Sequence, residues 1–168
     1  ELDIRHPHVV GLATRDANTE GQGGIGLPVL IRQALRMRPD RLIVGECRGA
    51  EVADFLTAMN TGHRGAIGTL HANSAADVPA RLHAMAALAG LEPTTAALQI
   101  RSAVDVVIHL ARDGQGHRYP SEVALLDKTG EGADLHLIPV LSTRSSQVCE
   151  GPGLARLDTL ASRQERAA

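Results

Sequence analysis

The sequence predicts an α/β fold with a mostly parallel sheet, followed by a small β-rich appendix. Short apolar runs alternate with amphipathic helical segments over residues 1–110, as in strands joined by crossover helices. From residue 104 onward, β-branched runs follow one another with turn signals between them. The length of 168 residues corresponds to one domain, which we assign to residues 1–141. We expect residues 142–168 to form a polar, flexible tail that can hold a short terminal helix.

Three segments precede the first buried strand. Val9–Thr14 has the composition of a short strand, and residues 16–26 are Gly-rich and polar, as loops are. Residues 28–37 form the first predicted helix, because Pro28 suits a first helical turn. The apolar residues spaced for its buried face are Leu30, Ala34 and Met37.

Two strands and two helices are predicted next. Leu42–Val44 is a continuous apolar run, typical of a strand buried on both faces, and Ala66–His71 is a second such run. Residues 50–60 form a helix with apolar positions at helical spacing: Val52, Phe55, Leu56 and Met59. Residues 77–89 form another, with a core face of Val78, Leu82, Met85 and either Leu88 or Ala89.

The remaining elements make up the end of the domain and the β-rich appendix. A helix is predicted near residues 94–102. Three strands follow at residues 104–110, 119–126 and 135–141, and residues 113–116 form a turn between the first two.

Composition excludes several functional classes. Phe55 and Tyr119 are the only aromatic residues, too few for a platform that stacks nucleic-acid bases. The net charge of −2 also argues against a broad nucleic-acid footprint, so we expect no direct nucleic-acid binding. No apolar run reaches the roughly 18 residues of a membrane span. Cys47 and Cys149 do not form a disulfide framework, which favours a cytoplasmic setting.

Two strand ends carry reactive side chains. Glu46 follows the run Leu42–Val44, and His71 ends the next predicted strand. In open α/β sheets, ligands bind beyond the carboxyl ends of the strands. A carboxylate at this position can bind Mg²⁺ through water or orient the water that attacks a phosphate. The alternative is that an acidic residue ends the strand only to meet solvent.

Arginine is concentrated around the first of these strand ends. Five arginines and two acidic residues lie between positions 28 and 48: Arg32, Arg36, Arg38, Arg41 and Arg48, with Asp40 and Glu46. Guanidinium groups suit phosphate oxygens or carboxylates of a neighbouring subunit. A solvated helix face is the alternative for Arg32 and Arg36. A metal site built from His63, His71 and Cys47 is a third possibility, but the chain has no CxxC, HxxxH or HExxH spacing.

Lys128 is the single lysine of the chain. A phosphate-binding loop needs GxxxxGK[ST], and Lys128 follows Asp127 instead of glycine. The glycines at 21–26 therefore do not form such a loop. Lys128-Thr129-Gly130 matches one β-lactamase motif, but that family also needs SxxK, which this chain cannot supply.

Several motifs occur in order over residues 34–74: LRMRPDR, VGE-x-RG-x-E, TGH and TLHANS. This stretch resembles the secretion ATPase superfamily, which comprises the motors of type II and type IV secretion, pilus assembly and conjugation. It is most similar to the tight-adherence (Tad/Flp) pilus assembly ATPases and their conjugal-transfer relatives. Weaker similarity extends over about residues 1–110.

The resemblance implies a RecA-like P-loop NTPase core that works as a homohexamer. Such a motor hydrolyses ATP with Mg²⁺ in the cytoplasm, at the periphery of the inner membrane. It drives pilus assembly or export through inner-membrane platform proteins.

The resemblance also implies roles for individual residues. Glu46 corresponds to the Walker B carboxylate, a catalytic group that also binds Mg²⁺ through water. Arg48 belongs to the same motif and is a candidate nucleotide contact. His63 and His71 lie in the histidine box, with His71 catalytic and His63 at the phosphates. Arg15 is a further candidate nucleotide contact.

Two departures from the family pattern limit the activity that we expect. The nucleotide loop is absent, and Glu1-Leu2 matches only the trailing pair of the family's acidic box. We therefore expect the chain to be the carboxyl-terminal part of a motor, without the amino-terminal part of its domain, and to be inactive alone. The alternative is a non-catalytic interaction module that docks on related secretion motors.

Overall fold

A computed structural model describes residues 4–63, 65–144 and 147–165. It confirms the α/β class. In chain order the elements are α1 (Leu27–Arg36), β1 (Ile43–Val44), α2 (Val52–Asn60), β2 (Ile67–Gly68), a 3₁₀ turn (Ala75–Asp77), α3 (Val78–Leu88), α4 (Pro93–Ala103), β3 (Val106–Arg112), β4 (Arg118–Leu126), β5 (Leu137–Arg144), β6 (Gln147–Glu150) and α5 (Leu154–Glu165). Over these three stretches, no helix combines the length and apolarity that a membrane crossing requires.

The described residues divide into two compact units. The first holds the residues up to His71 together with Met85–Leu91, and the second holds Ala72–Ala84 and the residues from Glu92 onward. In the first unit β1 and β2 pair in parallel, with Ile43 opposite Ile67 and Val44 opposite Gly68. Its buried apolar side chains include those of Ile31, Leu42, Val44, Val52, Phe55 and Leu56.

The second unit contains an antiparallel sheet with the order β3-β4-β5-β6. Strands joined by short turns pair antiparallel, because parallel strands need a long crossover between them. The expectation of a mostly parallel sheet is therefore only partly correct. Among the described residues the parallel sheet has two strands and the antiparallel one has four.

Two local predictions are wrong, and a third is only partly correct, since the predicted strand Ala66–His71 extends only over Ile67–Gly68. Val9–Thr14 is not a strand, and the nearest pairing is a single antiparallel bridge between Arg15 and Ile25. Val10 is 61% exposed, so the segment does not pack an apolar face against the core. Without a neighbouring strand, its apolar composition is not enough to form one. In α1 the buried side chain is Ile31, whereas Met37 follows the last turn and is 54% exposed.

Lys128 stabilises the carboxyl end of α4. Its Nζ donates hydrogen bonds to the carbonyl oxygens of Arg101 and Val104 and lies 3.1 Å from a carboxylate oxygen of Asp105. The last carbonyls of a helix lack partners within the helix, and the helix dipole favours a cation there. The single lysine therefore has a structural role in this fold.

The stretch predicted as a polar tail contains β6 and α5. The N–H groups of Gly151 and Gly153 donate to the carbonyl oxygens of Val140 and Pro139, which fixes the approach to α5. A helix is thus present where the sequence allowed one. The domain boundary at residue 141 stays a prediction.

Gly68 is the point where α2 approaches the parallel sheet. A Cβ atom at this position would lie 2.5 Å from Cε1 of Phe55, whose side chain is buried. We expect Gly68→Ala to lower the free energy of unfolding by about 1–3 kcal/mol, because the ring has to shift within a packed core. Urea unfolding measures the effect. Gly114→Ala is the control, since nothing lies within 4 Å of its added Cβ, and an equal loss in both variants would contradict the prediction.

Candidate active site

The carboxyl ends of β1 and β2 bring three of the predicted site residues together. Oε1 of Glu46 lies 2.8 Å from Nε2 of His71, and Oε2 accepts a hydrogen bond from Nη2 of Arg48 at 2.6 Å. The pairing of the strands explains this proximity, since parallel strands that lie side by side end at the same edge of the sheet.

Hydrogen bonds beyond the two short strands fix the backbone at this edge. The N–H of Cys47 donates to the carbonyl oxygen of Thr69 at 2.8 Å, and Oγ1 of Thr69 donates to the carbonyl oxygen of Gly45. The residues on either side of Glu46 are therefore tied to the segment that leads to His71. The carboxylate and the imidazole are held on neighbouring backbones.

The electrostatics of the site favour an ionised Glu46. The hydrogen bond from Arg48 holds the pKa of this carboxyl below its usual value, although partial burial acts in the opposite direction. The side chain is 24% exposed, against 76% for Arg48 and 84% for His71. Glu46 is thus a carboxylate at neutral pH, next to two exposed side chains that can carry positive charge.

One carboxylate oxygen of Glu46 is able to accept a further hydrogen bond. Oε1 is buried and accepts no directed hydrogen bond from the residues that the structure describes. His71 is close to it, but the ring nitrogen lies at ion-pair distance without the alignment of a hydrogen bond. A buried acceptor in this condition fits a water molecule or a metal-bound water as its donor.

The other two candidate residues lie elsewhere in the first unit. His63 precedes β2, whereas His71 follows it, so the two histidines flank opposite ends of the strand. Nδ1 of His63 is buried and has no hydrogen-bond partner among the described residues. Nε of Arg15 donates to the carbonyl oxygen of Gly23 at 2.8 Å, within a loop closed by the bridge to Ile25. Glu1-Leu2 lies outside the described residues.

The sequence alone does not assign a role to Glu51, although this residue belongs to the motif VGE-x-RG-x-E. Oε1 of Glu51 accepts the backbone N–H groups of Arg48 at 2.6 Å and Gly49 at 2.9 Å. The sequence feature that could have indicated this contact is a glutamate directly before an apolar helix, with a glycine two residues earlier. A carboxylate at a helix start commonly accepts backbone N–H groups.

Cys47 does not fit the metal hypothesis. Burial raises the pKa of this thiol to about 11, and the nearby charges of Glu51 and Glu46 add to the effect. A metal ligand has to be the thiolate. Within the three described stretches, no three His, Cys, Asp or Glu side chains are arranged to hold a metal ion.

The two thiols are therefore expected to react very differently. Cys47 is 4% exposed, while Cys149 lies exposed on β6. Because the thiolate is the nucleophile, we expect Cys149 to react with Ellman's reagent at pH 8 and Cys47 to react only after denaturation. Cys149→Ser should abolish the fast phase. Rapid modification of Cys47 in the folded Cys149→Ser variant would contradict this assignment.

Comparison with known proteins shows that the chain is similar to proteins of secretion and conjugal transfer systems. The profile of the family described as type II/IV secretion system protein matches residues 1–150. A putative conjugal transfer protein of Mycobacterium tuberculosis is 54% identical over 126 residues, which cover 75% of this chain and 36% of the relative. The conjugal transfer protein TrbB of Rhizobium radiobacter is 33% identical over 118 residues, which cover 70% of this chain and 34% of the relative.

A solved structure is also similar. It is the VirB11 ATPase from the type IV secretion system of Brucella suis, in complex with sulphate. The match has a TM-score of 0.55 and 33% sequence identity, and it covers 60% of this chain and 32% of the solved chain. The present chain thus spans about a third of the length of the proteins that it matches.

Proposed function

Because the chain belongs to the type II/IV secretion system protein family, we propose that it is the carboxyl-terminal part of a hexameric ATPase that powers pilus assembly or type II/IV secretion. Its relatives include a VirB11 ATPase and conjugal transfer proteins. The observation that carries the proposal is the contact of Glu46 with both Arg48 and His71 at the edge of the parallel sheet.

In this proposal Glu46 is the Walker B carboxylate of a RecA-like core. Its Oε2 is held by Arg48. The buried Oε1 lies 2.8 Å from Nε2 of His71 and has no directed hydrogen bond, so it can accept one from the water that attacks the γ-phosphate of ATP. A general base must lie within hydrogen-bond reach of the proton that it accepts. Mg²⁺, held through water at the same carboxylate, would neutralise charge on the transferred phosphoryl group.

The histidine box supplies donors in the same scheme. His71 presents an exposed imidazole at the sheet edge, where it can donate a hydrogen bond to charge that develops on the phosphoryl oxygens. His63 is proposed as a second phosphate contact, since its Nδ1 has no partner among the described residues. Arg15 and Arg48 are the proposed cationic contacts to the nucleotide.

The assembly around this site is proposed from the family. We place the motor at the cytoplasmic periphery of the inner membrane, as a homohexamer that acts on the platform proteins of a pilus or secretion system. A tight-adherence (Tad/Flp) or conjugal-transfer system is the favoured setting. We propose no direct contact with nucleic acid.

A non-catalytic docking module is the second candidate function. The observation that favours it is the engagement of the single lysine at the end of α4, which leaves the chain without the phosphate-binding lysine that a GxxxxGK[ST] loop supplies. The DNA upstream of the codon for Glu1 separates the two functions. A continuous reading frame that encodes GxxxxGK[ST] supports the motor, whereas a start codon next to Glu1 without such a loop supports the docking module.

A further inference from the structure

We propose that Glu51 is a positioning residue that holds the loop carrying Glu46 and Arg48 in its catalytic geometry, a role that rests on the proposed ATPase function. The loop connects β1 to α2. A single oxygen of Glu51 accepts two consecutive backbone N–H groups, from Arg48 at 2.6 Å and Gly49 at 2.9 Å. Hydrogen bonds to an ionised acceptor are roughly twice as strong as those between neutral groups.

Glu51 has a rigid base from which to hold this loop. It directly precedes α2, and Val52 and Leu56 in that helix are each 1% exposed. The carboxylate therefore connects a buried helix to the two peptide groups that flank Arg48. Nη2 of Arg48 in turn donates to Oε2 of Glu46. This series of contacts links the start of α2 to the reacting carboxylate.

A glycine at position 49 leaves room for the Glu51 carboxylate. A Cβ atom at Gly49 would lie 3.3 Å from Oε2 of Glu51, closer than ordinary van der Waals contact. The pKa of Glu51 agrees with the geometry. Partial burial acts to raise it, but the N–H donors of Arg48 and Gly49 and the charge of Arg48 hold it below its usual value.

A purely structural role at the helix start is the competing explanation, and Asp113 provides the matched control. Oδ1 of Asp113 accepts the backbone N–H groups of Gln115 at 2.9 Å and His117 at 2.8 Å, in the turn between β3 and β4. Asp113→Ala removes the same kind of contact from a loop that carries none of the proposed site residues. Both substitutions should therefore lower stability, but only a change at Glu51 should slow the reaction.

The test uses the longer polypeptide that the proposed function requires, in which a nucleotide-binding loop precedes this chain. We expect Glu51→Ala to lower kcat for ATP about 10- to 100-fold with little change in KM, because misplacement by about 1 Å can cost 10²-fold. Glu51→Gln, which keeps the size of the side chain and an acceptor oxygen, should lose less, and Asp113→Ala should leave kcat unchanged. Amide exchange should accelerate at Arg48 and Gly49 in Glu51→Ala but not in Asp113→Ala.

Three results would overturn the proposal. The first is an unchanged kcat in both Glu51 variants, with Glu46→Gln inactive, which would leave the ATPase function intact. The second is an equal loss of kcat in Asp113→Ala, which would mean that the effect comes from a general loss of stability. The third is a wild-type polypeptide without ATPase activity, which would overturn the proposed function as well. If Glu51→Ala does not fold, Glu51→Gln decides between these outcomes.

Discussion

Glu46→Gln is expected to lower kcat for ATP hydrolysis by about 10²- to 10⁴-fold in a polypeptide that contains this chain and its nucleotide loop. The amide keeps the size of the side chain but cannot accept a proton from the attacking water. Oε1 of Glu46 is the buried acceptor without a directed partner, so the substitution changes the atom that the mechanism uses. Steady-state phosphate release measures kcat, and a fluorescent ATP analogue measures binding.

Binding is expected to change far less than turnover in this variant. Removal of an interaction that is made only in the transition state lowers kcat and spares ground-state affinity. Glu150→Gln is the control, because Glu150 is an exposed carboxylate on β6. A Glu46→Gln variant that keeps more than half of the wild-type kcat would rule out Glu46 as the catalytic carboxylate.

Leu56→Ala is expected to lower the free energy of unfolding by about 2–5 kcal/mol. Leu56 is 1% exposed in the core of the first unit, on the helix that follows the Glu46 loop. The change removes buried apolar contacts and leaves a cavity. Since a whole domain is stable by only about 5–15 kcal/mol, this variant should be close to unfolding at 37 °C. Chemical denaturation monitored by circular dichroism provides the measurement.

Leu98→Ala is the matched control for this substitution. Leu98 lies in α4 and is 59% exposed, so its truncation should change stability by less than about 0.5 kcal/mol. A loss below about 1 kcal/mol for Leu56→Ala would mean that α2 is not packed as described.

The sequence predicted the helices well where periodicity and burial agree. In α2, Val52, Phe55 and Leu56 are buried as their spacing indicates. In α3, Val78, Leu82 and Met85 are buried, while Leu88 is 70% exposed and marks the end of the apolar face. The Val9–Thr14 strand failed because apolar composition gives no information about whether a neighbouring strand is present to pair with it.

The candidate site was predictable to the level of strand ends. The sequence points to Glu46 and His71 because each lies at the end of an apolar strand, and the parallel pairing places them in contact. The contact between Glu51 and two backbone N–H groups was not predictable in this way. It depends on the path of the loop backbone, which is set by tertiary packing and by the space that Gly49 leaves.

We propose that this chain supplies the Walker B carboxylate of a secretion ATPase, Glu46, but not the loop that binds the phosphates. The most direct test compares Mg²⁺-dependent ATP hydrolysis by the purified 168-residue chain and by the polypeptide extended through its nucleotide loop. We predict no activity above background for the chain alone and clear turnover for the extended polypeptide. Activity of the chain alone that Glu46→Gln abolishes would show instead that these 168 residues hydrolyse ATP without such a loop.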